Sequence, residues 1–209
     1  MISLGELQKD SRNDLERKMK LPRPIFYSLV TPVKPKSTFT DFDSVENKMK
    51  VSQATLFFGF FVITIVYFFS YPDTSLFRPI DWLLQILGFV AGLFFKFLII
   101  TYLLQLLVNR IGLAQLKASE TLAIVSCSLL PLVVGPIWTI LDESTASIGF
   151  LVGLIWHASI IIVGLRILKG IKIWKGALLI AGIYTMLKLV EVSLLGVNLL
   201  PLSLPLSDL

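Results

Sequence analysis

The chain has 209 residues, of which 55% are hydrophobic and 16% are charged, with a formal net charge of +5. A soluble domain of this size has about 45–50% apolar and about 25% charged residues, so the composition excludes a soluble globular domain. The net charge does not indicate nucleic-acid binding, because the basic residues lie at the ends of long apolar stretches. A single cysteine (Cys127) and a single histidine (His157) exclude an internal disulfide and a metal site built from several such ligands. We therefore predict an all-α, polytopic integral membrane protein.

Five stretches are long and apolar enough to span a bilayer, which requires about 20 residues each. They cover residues 54–71, 81–108, 118–141, 147–168 and 174–199. We predict three regions: a cytoplasmic or interfacial N-terminal segment (1–53), a five-helix transmembrane domain (54–199) and a short external tail (200–209). The connections are short, so consecutive spans are expected to be antiparallel neighbours.

The lysines and arginines predict the orientation. Ten lie in the N-terminal segment, two between the second and third spans and four around the connection of the fourth and fifth spans, whereas the opposite side has only Arg78. Because positive charge is retained in the cytoplasm, we expect a cytoplasmic N-terminus and an external C-terminus.

The N-terminal segment is highly charged over residues 6–20 and then changes to the apolar run 25–30, between Pro24 and Pro32. Two interpretations stay open. The segment is a solvated tail with ordinary juxtamembrane positive charge, or it docks a partner protein or anionic lipid through its basic and aromatic residues.

Four ionisable residues lie within the predicted spans: Lys96, His157, Lys188 and Glu191. Such residues are costly in a bilayer and are functional candidates. His157, Lys188 and Glu191 are each roughly 12–16 Å from the outer helix ends, and Lys188 and Glu191 share a helix face. Three interpretations stay open. Lys188 and Glu191 form an internal ion pair with His157 hydrogen-bonded nearby, the three residues form a proton or solute relay, or they form a site for a lipid headgroup or partner helix. Lys96 is expected to extend its side chain towards the cytoplasmic side.

Small residues and prolines predict how the spans pack. Gly88 and Gly92 in the second span and Gly149 and Gly153 in the fourth span form small-xxx-small motifs, which let helices approach closely in lipid. We expect them to join the second span to the fourth, or to form a homodimer face. In the third span, Pro131 and Pro136 are expected to kink the helix.

Short motifs resemble the Yip membrane-protein family, the Ypt/Rab-interacting proteins and their prokaryotic relatives. They are the small-residue start of the third span (118–123) with its Ser128-Leu129-Leu130-Pro131 kink, the passage Trp156, Gly164-Leu165-Arg166, Gly170-Ile171 and Lys175-Gly176-Ala177, and the lead-in from Leu21-Pro22 to Pro32. The resemblance implies five spans and a cytoplasmic N-terminus. It also implies ER–Golgi traffic for eukaryotic members and poorly defined, in some cases transporter-linked, roles for prokaryotic ones. The acidic motif of eukaryotic members has no counterpart here, so small-GTPase binding is not carried over, and the prokaryotic branch is favoured.

No nucleophile–base pair, phosphate-binding loop or metal-ligand spacing occurs, so we predict a protein that is not an enzyme and needs no cofactor. The resulting hypothesis is a membrane scaffold or accessory subunit, in a cytoplasmic (inner) membrane if prokaryotic and in the ER or Golgi if eukaryotic. Its expected partners are membrane lipids and a membrane protein or a second copy of the chain. The alternative is a small-solute or proton-coupled transporter that uses Lys96, His157, Lys188 and Glu191.

Overall fold

The computed structural model describes residues 22–70, 79–141 and 143–190, and all regular structure in these residues is helical. The helices are α1 (Arg23–Val30), α2 (Pro35–Phe42), α3 (Lys48–Ser70), α4 (Pro79–Arg110), α5 (Ala118–Cys127), α6 (Val134–Leu141), α7 (Ala146–Lys169) and α8 (Ile173–Val190). Two short 3-10 turns, Leu130–Val133 and Glu143–Thr145, precede α6 and α7.

Five membrane-spanning helical segments are present, as the sequence predicts: α3, α4, the combined α5–α6 segment, α7 and α8. The first span begins at Lys48, six residues before the predicted start, because polar and basic residues extend the helix beyond its apolar part. The third and fourth spans agree with the predicted bounds to within one residue. The fifth span is described to Val190, and the predicted continuation to residue 199 lies outside the described residues.

The third span is the most buried of the five and packs against α3 and α7. Its α-helix is interrupted: α5 ends at Cys127, Pro131 lies in the 3-10 turn, and Pro136 lies within α6. Proline has no main-chain N–H and cannot continue the hydrogen-bond pattern of the preceding turn. Next to this break, the Ser126 and Ser128 hydroxyls donate hydrogen bonds to the carbonyls of Ala123 and Val125.

Residues 22–47 are not a solvated tail, which corrects one of the two interpretations given above. Helices α1 and α2 form a hairpin that packs against α3 and α7. Tyr27, Phe39 and Phe42 are at most 1% exposed and belong to the same core as the spans. The aromatic side chains bury their large apolar surface between the spans, and the Tyr27 hydroxyl donates to Asp41 across the hairpin.

Candidate functional site

His157 lies in the interior of the bundle, at the break in the third span. Its side chain is 1% exposed, and Nδ1 is 2.6 Å from the carbonyl oxygen of Ser128. In an unbroken α-helix that carbonyl would accept from the main-chain N–H of Leu132, but this N–H donates to Leu129 instead. Because a carbonyl only accepts hydrogen bonds, Nδ1 carries the proton. His157 therefore satisfies a main-chain group left open by the helix break.

Aromatic rings from two further spans enclose His157. The centroid of Phe97 in α4 is 6.0 Å from the imidazole centroid, and that of Tyr184 in α8 is 6.3 Å away, both in edge-on arrangements. Four of the five spans thus meet at this histidine, whose surroundings are aromatic rings and main chain.

The other predicted intramembrane residues are placed less centrally. Lys96 lies within α4 and is half-buried, and Lys188 is half-buried near the end of α8. Both side chains are engaged in interactions within the structure. Glu191 lies outside the described residues, and with it the predicted Lys188–Glu191 pair. The aromatic neighbours of His157 are sequence neighbours of the two lysines: Phe97 follows Lys96, and Tyr184 precedes Lys188 by one helical turn.

The glycine motifs do not join the second span to the fourth, which corrects the expected contact. A Cβ atom built on Gly149 would lie 2.3 Å from Cβ of Trp138, and one built on Gly153 would lie 2.8 Å from the carbonyl oxygen of Pro131. The fourth span thus uses its glycines to approach the third span, its sequence neighbour. A Cβ built on Gly88 or Gly92 would meet no described atom within 4 Å.

A second polar site lies where the third span begins and the fourth span ends. The Glu120 carboxylate accepts a hydrogen bond from the main-chain N–H of Lys117 at 2.8 Å, which caps α5. The same carboxylate pairs with Lys169 Nζ at 2.7 Å, and the two side chains are 10% and 16% exposed. One carboxylate thereby fixes a helix start and joins two spans.

Sequence reasoning did not identify this pair. In the sequence, Glu120 belongs to the motif that begins the third span, and Lys169 contributes to the charge bias. The antiparallel order of consecutive spans contains the missing signal, because it brings the first turn of the third span level with the last turn of the fourth. An acidic residue in one and a basic residue in the other can then meet.

Further polar contacts hold the same end of the bundle together. The Asn109 side chain both accepts from the N–H of Leu116 (2.7 Å) and donates to its carbonyl (3.2 Å), which closes the connection between α4 and α5. Ser52 in α3 donates to the carbonyl of Ser119 at 3.3 Å. The ends of all these spans therefore lie at one end of the bundle, which we call the basic end.

The basic end carries most of the cations of the described chain. Exposed side chains there are Arg110, Lys117, Arg166 and Lys172. Trp174, at the start of α8, is 58% exposed, and Lys175 Nζ lies 5.6 Å from the centre of its ring. The arrangement presents positive charge and an exposed indole on a surface whose supporting helices are tied by hydrogen bonds and an ion pair.

Asp43 and Lys48 add an exposed ion pair next to this surface, with 2.7 Å between Nζ and Oδ1. The hydrogen bond from Lys48 and the charge of Lys48 hold the pKa of Asp43 below its usual value, and the charge of Lys169 adds to the effect. Among residues 22–70, 79–141 and 143–190, no group of three histidine, cysteine, aspartate or glutamate side chains is placed to hold a metal ion.

The comparison with protein-family models agrees with the resemblance of the motifs, whereas two other comparisons found no match. No curated protein and no solved structure matches the chain. The model of the Yip1 domain matches residues 29–194, which is most of the chain and includes α2 to α8. The protein is therefore a multi-span membrane protein that belongs to the Yip1 domain family.

Proposed function

We propose that this protein is a non-enzymatic scaffold or accessory subunit of a membrane complex, and that its basic end docks an acidic surface of a partner membrane protein. The observation that carries the proposal is the exposure of four cations at the basic end, whose spans are joined by hydrogen bonds and an ion pair: Arg110, Lys117, Arg166 and Lys172. Arginines and lysines on a preorganised surface attract acidic groups and guide association, and they lose little freedom on binding.

The surroundings of His157 support a structural rather than a transporting interior. A relay needs a group that can take up and release protons along a path. His157 is hydrogen-bonded to a main-chain carbonyl and enclosed by Phe97 and Tyr184, so its ring is held by the break in the third span. The interior then serves to fix the shape of the bundle on which the basic end is built.

Membership of the Yip1 domain family supports a role in membrane organisation or trafficking, or in the support of a transporter, as the resemblance implies. With the orientation expected from the lysine and arginine bias, the basic end faces the cytoplasm. A cytoplasmic acidic partner surface would then be its counterpart, and small-GTPase binding is not required.

The test is isolation of the tagged full chain from its native membrane in mild detergent, followed by mass spectrometry. We expect a stoichiometric membrane-protein partner with the wild type and its loss with Arg166→Gln/Lys172→Gln. The control Lys34→Gln/Lys36→Gln removes the same charge from exposed lysines of the α1–α2 hairpin and should retain the partner.

Two results would oppose the proposal. A clean monomer or homodimer from the native membrane would leave the accessory-subunit role without a partner. Equal retention of a partner by both double variants would show that the basic end does not dock it. Deletion of residues 1–20 measures separately whether the N-terminal residues add to the association, with membrane insertion as the control.

A further inference from the structure

The α1–α2 hairpin reaches from the basic end into the bundle, and its turn contacts the spans away from that end. The turn between its helices is reached by Trp156, whose Nε1 donates to the carbonyl of Pro32 at 3.1 Å. Trp156 lies 13 residues before Lys169, the last residue of α7, which corresponds to about 20 Å along the helix axis. On another side, Ser28 donates to the carbonyl of Thr55 at 3.4 Å, about 10 Å from the start of α3.

The spans are too short for this contact region to lie outside the bilayer. Helix α7, whose two ends are both described, has 24 residues, which gives a length of about 36 Å at 1.5 Å per residue. A hydrocarbon core of about 30 Å leaves only a few ångströms of α7 beyond it. The contact of Trp156 with Pro32 lies about 15 Å and about 20 Å from the two ends of α7 at this rise per residue, and it therefore lies within the hydrocarbon region.

The main chain of the hairpin turn is satisfied in the way that a membrane interior requires. The N–H groups of Val33 and Lys34 both donate to the carbonyl of Val30, at 3.0 and 2.8 Å. The carbonyl of Lys34 accepts from the Ser37 and Thr38 hydroxyls, each at 3.0 Å, and that of Pro32 accepts from Trp156. Non-helical main chain is tolerated at membrane depth only where protein groups replace water.

The side chains near the turn fall into a buried set and an exposed set. Tyr27 and Thr31 face the bundle and are at most 1% exposed, whereas Leu29 and Val33 are 46% and 74% exposed. Lys34 and Lys36 are also exposed, and their long stems can carry the ammonium groups towards the headgroups. The exposed hydroxyls of Ser37 and Thr40 donate to the carbonyls of Lys34 and Lys36.

From this geometry we infer that α1 and α2 form a re-entrant helical hairpin inserted into the leaflet at the basic end, with Leu29 and Val33 in contact with lipid acyl chains. Their occupant is lipid because Leu29 and Val33 are apolar, exposed and at acyl-chain depth, and because the exposed hydroxyls of α2 are already hydrogen-bonded to its own main chain. Of the described part of the chain, seven helices then occupy this leaflet, whereas five segments cross the other. Two helices of about 10 Å diameter enlarge the protein on one side of the membrane only.

The experiment is cysteine labelling of the full chain in proteoliposomes, with a hydrophilic maleimide loaded on both sides by freeze–thaw. The native Cys127 is 1% exposed, so the wild type gives the background. Val33→Cys reports the hairpin turn, Glu46→Cys the exposed connection before α3, and Phe57→Cys an exposed side chain of α3. Leu29→Cys repeats the test if Val33→Cys does not fold.

Maleimide reacts with the thiolate, and a thiol in an apolar environment remains protonated, so we expect Val33→Cys to react at least about tenfold more slowly than Glu46→Cys. Its rate should resemble that of Phe57→Cys. A bimane label at position 33 should also be quenched by lipids that carry a spin label on the acyl chain. Labelling of Val33→Cys as fast as that of Glu46→Cys, or quenching only by a water-soluble quencher, would overturn the inference.

Discussion

Replacement of Glu120 by glutamine removes the negative charge that faces Lys169 but leaves an oxygen able to cap α5. Removal of one partner from a fully buried ion pair costs about 3–5 kcal/mol, whereas exposed pairs contribute about 0.2–1 kcal/mol. The Glu120 and Lys169 side chains are 10% and 16% exposed, and Asp43 lies near enough to interact with the lysine. We therefore expect Glu120→Gln to lower the free energy of unfolding by about 2 kcal/mol, between these limits.

The assay is reversible unfolding in mixed detergent micelles, followed by tryptophan fluorescence, for Glu120→Gln, Lys169→Gln and the double variant. The double-mutant cycle should give a coupling energy of about 1–2 kcal/mol, as expected for residues in direct contact. Asp43→Asn is the matched control, because it breaks an ion pair of the same length in which the Asp43 side chain is 65% exposed, and it should cost less than about 1 kcal/mol. A coupling energy near zero, or an equal loss in Asp43→Asn, would refute the reasoning.

Three further predictions use the same unfolding assay or a titration. Gly153→Ala places a methyl group against a main-chain oxygen and should cost about 1–3 kcal/mol, whereas Gly92→Ala, whose surroundings are open, should be near neutral; similar losses would contradict the packing. His157→Leu leaves a buried carbonyl without its donor and should cost about 1–3 kcal/mol, so wild-type stability would show that the hydrogen bond is unimportant. Lys48→Gln should raise the pKa of Asp43, observed by carboxyl-carbon NMR, because the hydrogen bond and the charge of Lys48 are the largest causes of its low pKa. A carboxyl with a lowered pKa stabilises the fold above its unfolded pKa and loses this contribution as the pH falls through its folded pKa, so a small acid-side loss of stability should disappear in the variant.

The spans were predictable because a bilayer imposes one dominant requirement, a run of about 20 apolar residues. This requirement fixed the number of spans and the bounds of the third and fourth to within one residue. The length requirement gives no information on residues 23–42, which form two helices of only eight residues each, in a segment rich in prolines and lysines. Such short helices are not stable alone, and their burial depends on a groove that only the assembled spans provide.

The polar sites show the same division between local and tertiary information. The break at Pro131 follows from the missing N–H of proline, but the donor that reaches Ser128 lies 29 residues further along the chain. Pairing the two spans that share a small-xxx-small motif predicted the wrong neighbour for the fourth span. Connectivity gives the better argument, because the 3-10 turn Glu143–Thr145 joins α6 directly to α7 and brings Gly149 against Trp138.

Rigidity and charge coincide at the basic end, and this coincidence links the stability of the fold to the proposed docking. The Glu120–Lys169 pair, the Asn109 clamp and the Ser52 hydrogen bond tie four spans within the region that exposes the cations. A surface that is already ordered loses less conformational freedom on binding, so more of its interaction energy appears as affinity. Glu120→Gln should accordingly weaken partner association although Glu120 itself is buried, whereas Gly92→Ala, on an open face of α4, should not. If Glu120→Gln destabilised the bundle but left association unchanged, the stability of the joined spans would not contribute to the affinity of the basic end for its partner.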